Sequence, residues 1–344
     1  MQHEILERKS LLDEKGCLTE AGFAKSLILD YDRSAIKAPK MRIKEWDYYY
    51  IGNDQYGVAL TIADNSYMGL DSITLLDFTK PWEHTASPME FFTGGKIGFP
   101  SSSASGDVIH SGKNHFISFE KRDNNRLLKF YMDNFYDKSP INGEILLTET
   151  GTDSMVIATP FAGKPKHFYY NQKINCQRAE GNVSFMGKEY TFSPDNSFGV
   201  LDWGRGVWTY KNTWYWGSCS GTVDDVPFGF NIGYGFGDTS AASENMLFYN
   251  GNAHKLDQVK FNIPMDSDGN EDYLKPWTFT SSDGRFEMDF LPIIDRKSDT
   301  NVGLIRSNQH QVFGRFTGKV ILDDKRVIEC KDLLGFAEKV YNKW

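Results

Sequence analysis

From Met41 onward, apolar and polar positions alternate over short runs rich in aromatic and β-branched residues, and Asn, Asp, Gly and Pro interrupt those runs at close intervals. A period of two bounded by turn residues predicts many short β-strands. In 46-WDYYYIGNDQYGVALTIAD-64 the dipeptide Asn53-Asp54 turns between two strands, and in 115-HFISFEKRDNNRLLKFYM-132 the turn falls at Asp123 to Asn125. The same texture returns at 183–192, 207–218, 226–236 and 309–330. Helical spacing is confined to the ends. After Gly16, the residues Thr19, Glu20, Ala21, Phe23, Ala24, Leu27 and Ile28 predict a capped helix serving as a strap, and 332-DLLGFAEKVYNKW-344 predicts a closing helix. No long helical segments alternate with strands, so a parallel α/β sheet is disfavoured and the fold class is all-β and antiparallel. Trp46, Tyr48 and Tyr50 before a turn and a Gly-containing strand are echoed by Trp214 and Trp216, which suggests tandem β domains. Pro, Gly and Lys cluster in 160-PFAGKPKH-167, which sets the expected division at 1–160 and 161–344.

Composition narrows the functional classes. The 344 residues suffice for two domains or one large β unit, and the net charge of −8 argues against a nucleic-acid partner, which would require a clustered basic surface. The N-terminal MQHEILERKS has no apolar core of a signal peptide, and no stretch reaches the length of a membrane span, so a cytoplasmic protein without stable membrane anchoring is expected. Cys17, Cys176, Cys219 and Cys330 are scattered without a CxxC pair and read as buried thiols, and the acceptor match Asn182 to Ser184 has no secretory context. The histidines form neither HExxH nor HxH, so no metal site is expected. The chain also lacks a GxSxG elbow, a P-loop and a placed GxGxxG, and no cofactor is expected. The Gly- and Ser-rich 94–106 reads as a surface or lid loop.

Three stretches carry candidate chemistry. In 228-FGFNIGYGFGD-238 one face bears Phe228, Phe230, Ile232, Tyr234 and Phe236, and the other bears Asn231 among glycines. A bare strand face implies that something approaches it closely, either an aromatic ring or a ligand that Asn231 would orient. In 201-LDWGRGVWTYKNTWYWGS-218 the rings Trp203, Trp208, Tyr210, Trp214 and Trp216 surround Asp202, Arg205 and Lys211. These rings make either a cavity wall or a heavy core, and Asp202 with Arg205 makes either a salt bridge or a substrate-binding pair. In 238-DTSAASENMLFYNG-251, Glu244 and Asn245 enter a strand, and Glu244 placed across a cavity from Asp202 or Asp238 would provide two carboxyls of different protonation. Asp238 reads equally as a turn residue, and His310 as either a proton shuttle or a structural histidine.

The blocks 201-LDWGRGVW-208, 228-FGFNIGYGFGDTSAASEN-245, 282-SDGRFEMDF-290, 310-HQVFG-314 and 335-GFAEKVYNKW-344, with 31-YDRSAIKAPKMRIKEWDYYYI-51, resemble the signature blocks of the domain-of-unknown-function 2804 family over essentially the whole chain. That family is distantly similar to the lipocalin-like group of carotenoid 1,2-hydratase, AttH-like proteins and tocopherol cyclase. The resemblance implies two tandem calycin-like antiparallel β-barrels or half-barrels, able to hold a small ligand. It also implies a cofactor-independent hydratase, cyclase or isomerase that protonates a hydrophobic small molecule. Asp202, Asp238 and Glu244 would be its acids, with His310 as shuttle, and Trp203, Trp208 and Tyr234 would stabilise a cation. Trp216, Arg205, Asn231 and Asn245 complete the expected substrate contacts. Two other readings stay open, a non-catalytic lipid or isoprenoid binder and a carbohydrate-active protein.

Overall fold

A computed structural model describes residues 2–302 and 305–343. Almost every described residue from Ile43 onward lies in, or turns between, antiparallel strands, and these form two large sheets. The first sheet orders its main strands as Trp82–Ala86, Met68–Asp77, Tyr56–Asp64, Ile43–Gly52, Phe198–Val207, Lys164–Phe185, Ser139–Thr148, Asn125–Tyr136, His115–Arg122 and Val108–Ser111. The second runs Asn252–Lys255, Met246–Tyr249, Val226–Tyr234, Lys211–Val223, Val327–Lys343, Ile305–Ile321, Phe286–Val302, Trp277–Ser281 and Val259–Asn262. Both expected hairpins are present, with Tyr50 opposite Ala59 and Phe119 opposite Leu128.

Each sheet curls around its own core. Inward residues from strands far apart in the first sheet, among them Tyr49, Leu60, Ile73, Ile117, Leu128, Ile145, Tyr170 and Trp203, make one cluster, which is possible only if the sheet bends round them. Its two ends come within side-chain reach, Trp82 meeting Tyr136 at 5.6 Å and His84 meeting Phe135 at 4.9 Å. The second sheet encloses a core dominated by Phe228, Phe230, Phe261, Phe279, Phe286 and Phe316. The 94–106 loop tucks into the first barrel, where Pro100 O accepts from Arg205 and Ser103 O accepts from Arg126.

Both terminal helices expected from the sequence are replaced by strands. Gly22–Ala24 pairs with Met155–Phe161, and among the described residues the only helical turns in the N-terminal region are the short ones at Arg33–Ala35 and Lys40–Arg42. Residues 332–343 belong to the strand Val327–Lys343, which is central to the second sheet and hydrogen-bonded on both sides; Trp344 lies outside the described residues. The middle of that strand, residues 335–338, is buried on both faces, so the apolar residues there do not alternate and the spacing imitates a helix. The expected division near residue 160 falls inside the first sheet. Residues 160–167 form a hairpin turn with Gly163 at φ +68°, and the change of sheet comes between Val207 and Lys211.

The outer faces of the two sheets pack on each other. Tyr50 contacts Phe313 and Phe336 at 5.1 and 5.6 Å, and Tyr48 meets Trp216 edge-on at 5.8 Å, so the two echoed aromatic motifs face one another across the joint. Trp46 lies over Gly204, where a Cβ would collide with its ring, stacks on Tyr169 and meets Trp208 edge-on.

Candidate functional site

The strand Lys164–Phe185 turns Asn171, Lys173 and Asn175 towards the joint, because residues two apart share a face. Phe198–Val207 does the same with Val200 and Asp202, Lys211–Val223 with Trp214, Trp216 and Ser218, and Val327–Lys343 with Phe336 and Glu338. A polar cluster results inside an otherwise aromatic interface. Lys173 Nζ sits 2.8 Å from Asp202 Oδ1, which also accepts from Asn171 Nδ2 at 2.6 Å. The same ammonium lies 3.9 Å over the Trp216 ring, whose Nε1 donates to Asn231 Oδ1 at 2.7 Å. Asn231 Nδ2 in turn donates to the backbone carbonyl of Glu244 at 2.8 Å.

Glu338 completes the cluster. Only 8% of it is exposed, Trp214 Nε1 donates to its Oε1 at 3.0 Å and Gln311 Nε2 to its Oε2 at 2.9 Å. Burial pushes its carboxyl up to about 7; the Trp214 bond, Arg296 and Lys173 pull the other way, and Asp202 adds to the rise. Glu244 is also raised, first by burial and then by the charge of Asp202, against Lys173. The buried hydroxyl of Tyr169 is driven upward by desolvation and, to a smaller degree, by the fields of Glu244, Asp202 and Glu338. Cations oppose both rises, Lys173 and Arg296 at Glu338 and Lys173 and Lys255 at Glu244, but burial outweighs them.

A cleft of about 340 Å³ opens between the sheets nearby, bordered by Tyr50, Val200, Ser218 and Phe336 with Asp54 and Arg315 at its mouth. Those first four residues lie two positions along the same strands from Tyr48, Asp202, Trp216 and Glu338, on the same faces. The Asp202 and Glu338 carboxyls therefore sit one residue pair, roughly 7 Å, beyond the cleft wall.

Of the residues singled out in the sequence, the structure brings Asp202, Trp214, Trp216, Asn231 and Glu244 together, and the remaining candidates lie outside the cluster. Arg205 points the opposite way from Asp202, into the first barrel, where it bonds Asp47 at 3.0 Å and stacks on Trp203 at 4.2 Å. The expected Asp202–Arg205 pair is thus replaced by Asp202–Lys173, because residues three apart on a strand face opposite sides. Trp203 is buried in the first core and Trp208 packs on Trp214 at 5.8 Å beside the cluster. Tyr234 stacks on Tyr215 at 4.4 Å inside the second barrel, across the strand from Asn231. Asn245 is a brace, accepting from Gly233 N at 2.7 Å and donating to Asp257 O at 2.8 Å. Asp238 turns the chain by accepting from Ser240 N, its pKa lowered by the Ser240 hydroxyl and then by that backbone bond, and His310 stacks on Tyr273 at 3.8 Å while bonding Asp295 at 2.8 Å. His310 also lies on the face opposite its neighbour Gln311, away from Glu338. The bare glycine face is filled neither by a ring nor by open space. A Cβ on Gly229 would lie 2.6 Å from Cys176 Sγ, and one on Gly233 would lie 2.7 Å from Glu244 Oε1.

Lys173, Glu338 and Tyr169 were not foreseen. The signals for them were local: Asn171, Lys173 and Asn175 alternate inside an aromatic strand, and Glu338 interrupts GFAEKVY two residues from Phe336.

Two curled antiparallel sheets packed back to back define an all-β, lipocalin-like fold. Kievitone hydratase from Nectria haematococca superimposes with a TM-score of 0.50 at 12% identity, covering 97% of this chain and 98% of that one. An AttH-type protein from Nitrosomonas europaea does so at 0.52 and 12% identity, covering 90% and 96%. At this identity the likeness establishes the fold. Residues 2–344 match the domain of unknown function DUF2804, and the chain belongs to that family. No curated protein sequence matches it.

Proposed function

We propose that this protein is an acid–base enzyme, a hydratase, cyclase or isomerase that needs no cofactor and acts on a hydrophobic small molecule entering between the sheets. The observation that carries the reading is Glu338, a buried carboxyl poised near neutrality beside an Asp202 carboxylate held by Lys173. Two carboxyls in unlike environments can divide the labour of giving and taking a proton. Glu338 is the proton donor in this reading, and Asp202 with the faces of Trp216 and Tyr48 stabilises positive charge developing on the substrate. Lys173 over Trp216 marks that ring as a surface where a cation already rests. The kievitone hydratase likeness agrees with water addition as the reaction class.

The test is turnover in ¹⁸O-labelled water of a panel of isoprenoid, prenylated aromatic and polyketide substrates, followed by mass spectrometry. Wild type incorporates label or isomerises one class, and Glu338→Gln lowers kcat by about 100-fold or more with substrate affinity retained. Ligands that bind and return unchanged would make the protein a binder and sink the proposal, as would an E338Q variant of undiminished activity.

A further inference from the structure

Away from the joint, the seam of the first barrel gathers three residues that the sequence keeps apart. Asp71 comes from Met68–Asp77 near one end of the sheet, and His110 and His115 from Val108–Ser111 and His115–Arg122 at the other. All three share the inward face of their strands with Ile73, Val108 and Ile117. His110 Nδ1 lies 2.6 Å and His115 Nε2 2.7 Å from the same oxygen, Asp71 Oδ2. Asp71 is 2% exposed, and its other oxygen, Oδ1, is buried without a hydrogen-bond partner. The three ligand atoms lie within 4.8 Å of one another.

We propose that Asp71, His110 and His115 bind one divalent transition-metal ion, with zinc as the ion such a donor set favours, and that the ion staples the barrel seam. Two imidazoles and one carboxylate form a borderline-soft N/O set suited to zinc. Tetrahedral ligands around zinc stand roughly 3.3 Å apart, so the nitrogens need to retreat by less than an ångström from Oδ2. An ion would also engage the side of the carboxylate that now has nothing to bond.

Two features outside the ligand set support the assignment. Glu90 Oε2 lies 3.5 Å from His110 Nε2, the nitrogen opposite the one facing Asp71, where a carboxylate fixes the tautomer of a metal-bound imidazole. Gly112 has no side chain where a Cβ would come within 2.2 Å of His115 Cε1, and this gap lets the ring fold towards Asp71. Three protein ligands leave a fourth position for water, and the side chains of His110 and His115 are 20% and 11% exposed. The site was invisible as a motif because four residues separate the histidines and Asp71 lies on a distant strand.

The measurement uses the full chain, stripped with chelator, dialysed against zinc and assayed for metal by mass spectrometry, with titration calorimetry alongside. One zinc per chain, a thermal midpoint raised by zinc, and a visible absorption band on cobalt substitution are expected for wild type. The His110→Gln/His115→Gln variant keeps donors to Asp71 and should bind no zinc while showing a native circular dichroism spectrum. Glu90→Gln, at an exposed position, should keep the stoichiometry and weaken zinc by about 10-fold. Wild type that binds zinc only at millimolar concentration, or a double-glutamine variant that binds as tightly as wild type, would overturn the proposal. If the double variant does not fold, the Glu90→Gln affinity decides: an unchanged value rejects the site.

Discussion

Replacing Glu338 by Gln isolates the free energy stored in one buried carboxyl. Its pKa rises from an ordinary 4.5 to about 7 in the folded chain, so the folded state binds the proton more tightly than the unfolded state does. Stability from this group is fully present below pH 4.5, is lost as pH climbs through about 7, and changes no further above it. At roughly 1.4 kcal/mol per pH unit, the interval corresponds to about 3 kcal/mol. Gln is neutral at every pH and nearly isosteric. Its oxygen can accept from Trp214 as Oε1 does, and turning the Gln311 amide over lets Gln311 Oε1 accept from the new NH₂ group. Wild type and E338Q unfolded in urea from pH 4.5 to 8 should therefore diverge, the variant gaining about 3 kcal/mol relative to wild type by pH 8. Contributions from other groups are common to both proteins and cancel in the difference. Stability curves that run parallel across this range would refute the account of Glu338 as a carboxyl protonated near neutrality.

Lys173→Met should destabilise the fold by about 3–5 kcal/mol, because it leaves Asp202 buried with only Asn171 beside it; K173M with D202N should recover most of the loss in the same urea assay, and a single variant within about 1 kcal/mol of wild type would contradict the pairing. Thiol labelling of the native protein should modify Cys17 promptly and the other three only in urea. Cys176 and Cys330 are buried thiols pushed up to about 12 and Cys219 is raised as well, so more than one fast thiol would show the joint to be open.

The strand texture was legible because most strands expose one face, and the hairpins at Asn53 and Asp123 lie where turn residues interrupt the alternation. The terminal segments were not, for opposite reasons. Gly22–Ala24 is a strand only because Met155–Phe161 offers it an edge, and Val327–Lys343 is buried on both faces over residues 335–338, where it loses the period that marks a strand. The site divided along the same line. Asp202 and Glu244 could be found beside dense aromatics, but the partner of Asp202 could not. Strand parity alone sends Arg205 to the opposite side, whereas choosing Lys173 requires knowing that Lys164–Phe185 pairs with Phe198–Val207. Glu338 depends on a still longer connection, since it meets Trp214 and Gln311 only once the second sheet is complete.

That last strand also governs how the chain can reach its native state. Val327–Lys343 sits between Lys211–Val223 and Ile305–Ile321, so without it the second sheet is two separate fragments, each presenting an unpaired edge. Gly335 must find Cys219 across the entire intervening half of the sheet, a search whose loop-closure cost precedes any reward in hydrogen bonds. Until it succeeds, both raw edges are templates for another copy's strand. Docking of the final strand is therefore the step at which folding and aggregation compete, and a variant that weakens its pairing should be lost to inclusion bodies well before it measurably lowers the stability of the finished molecule.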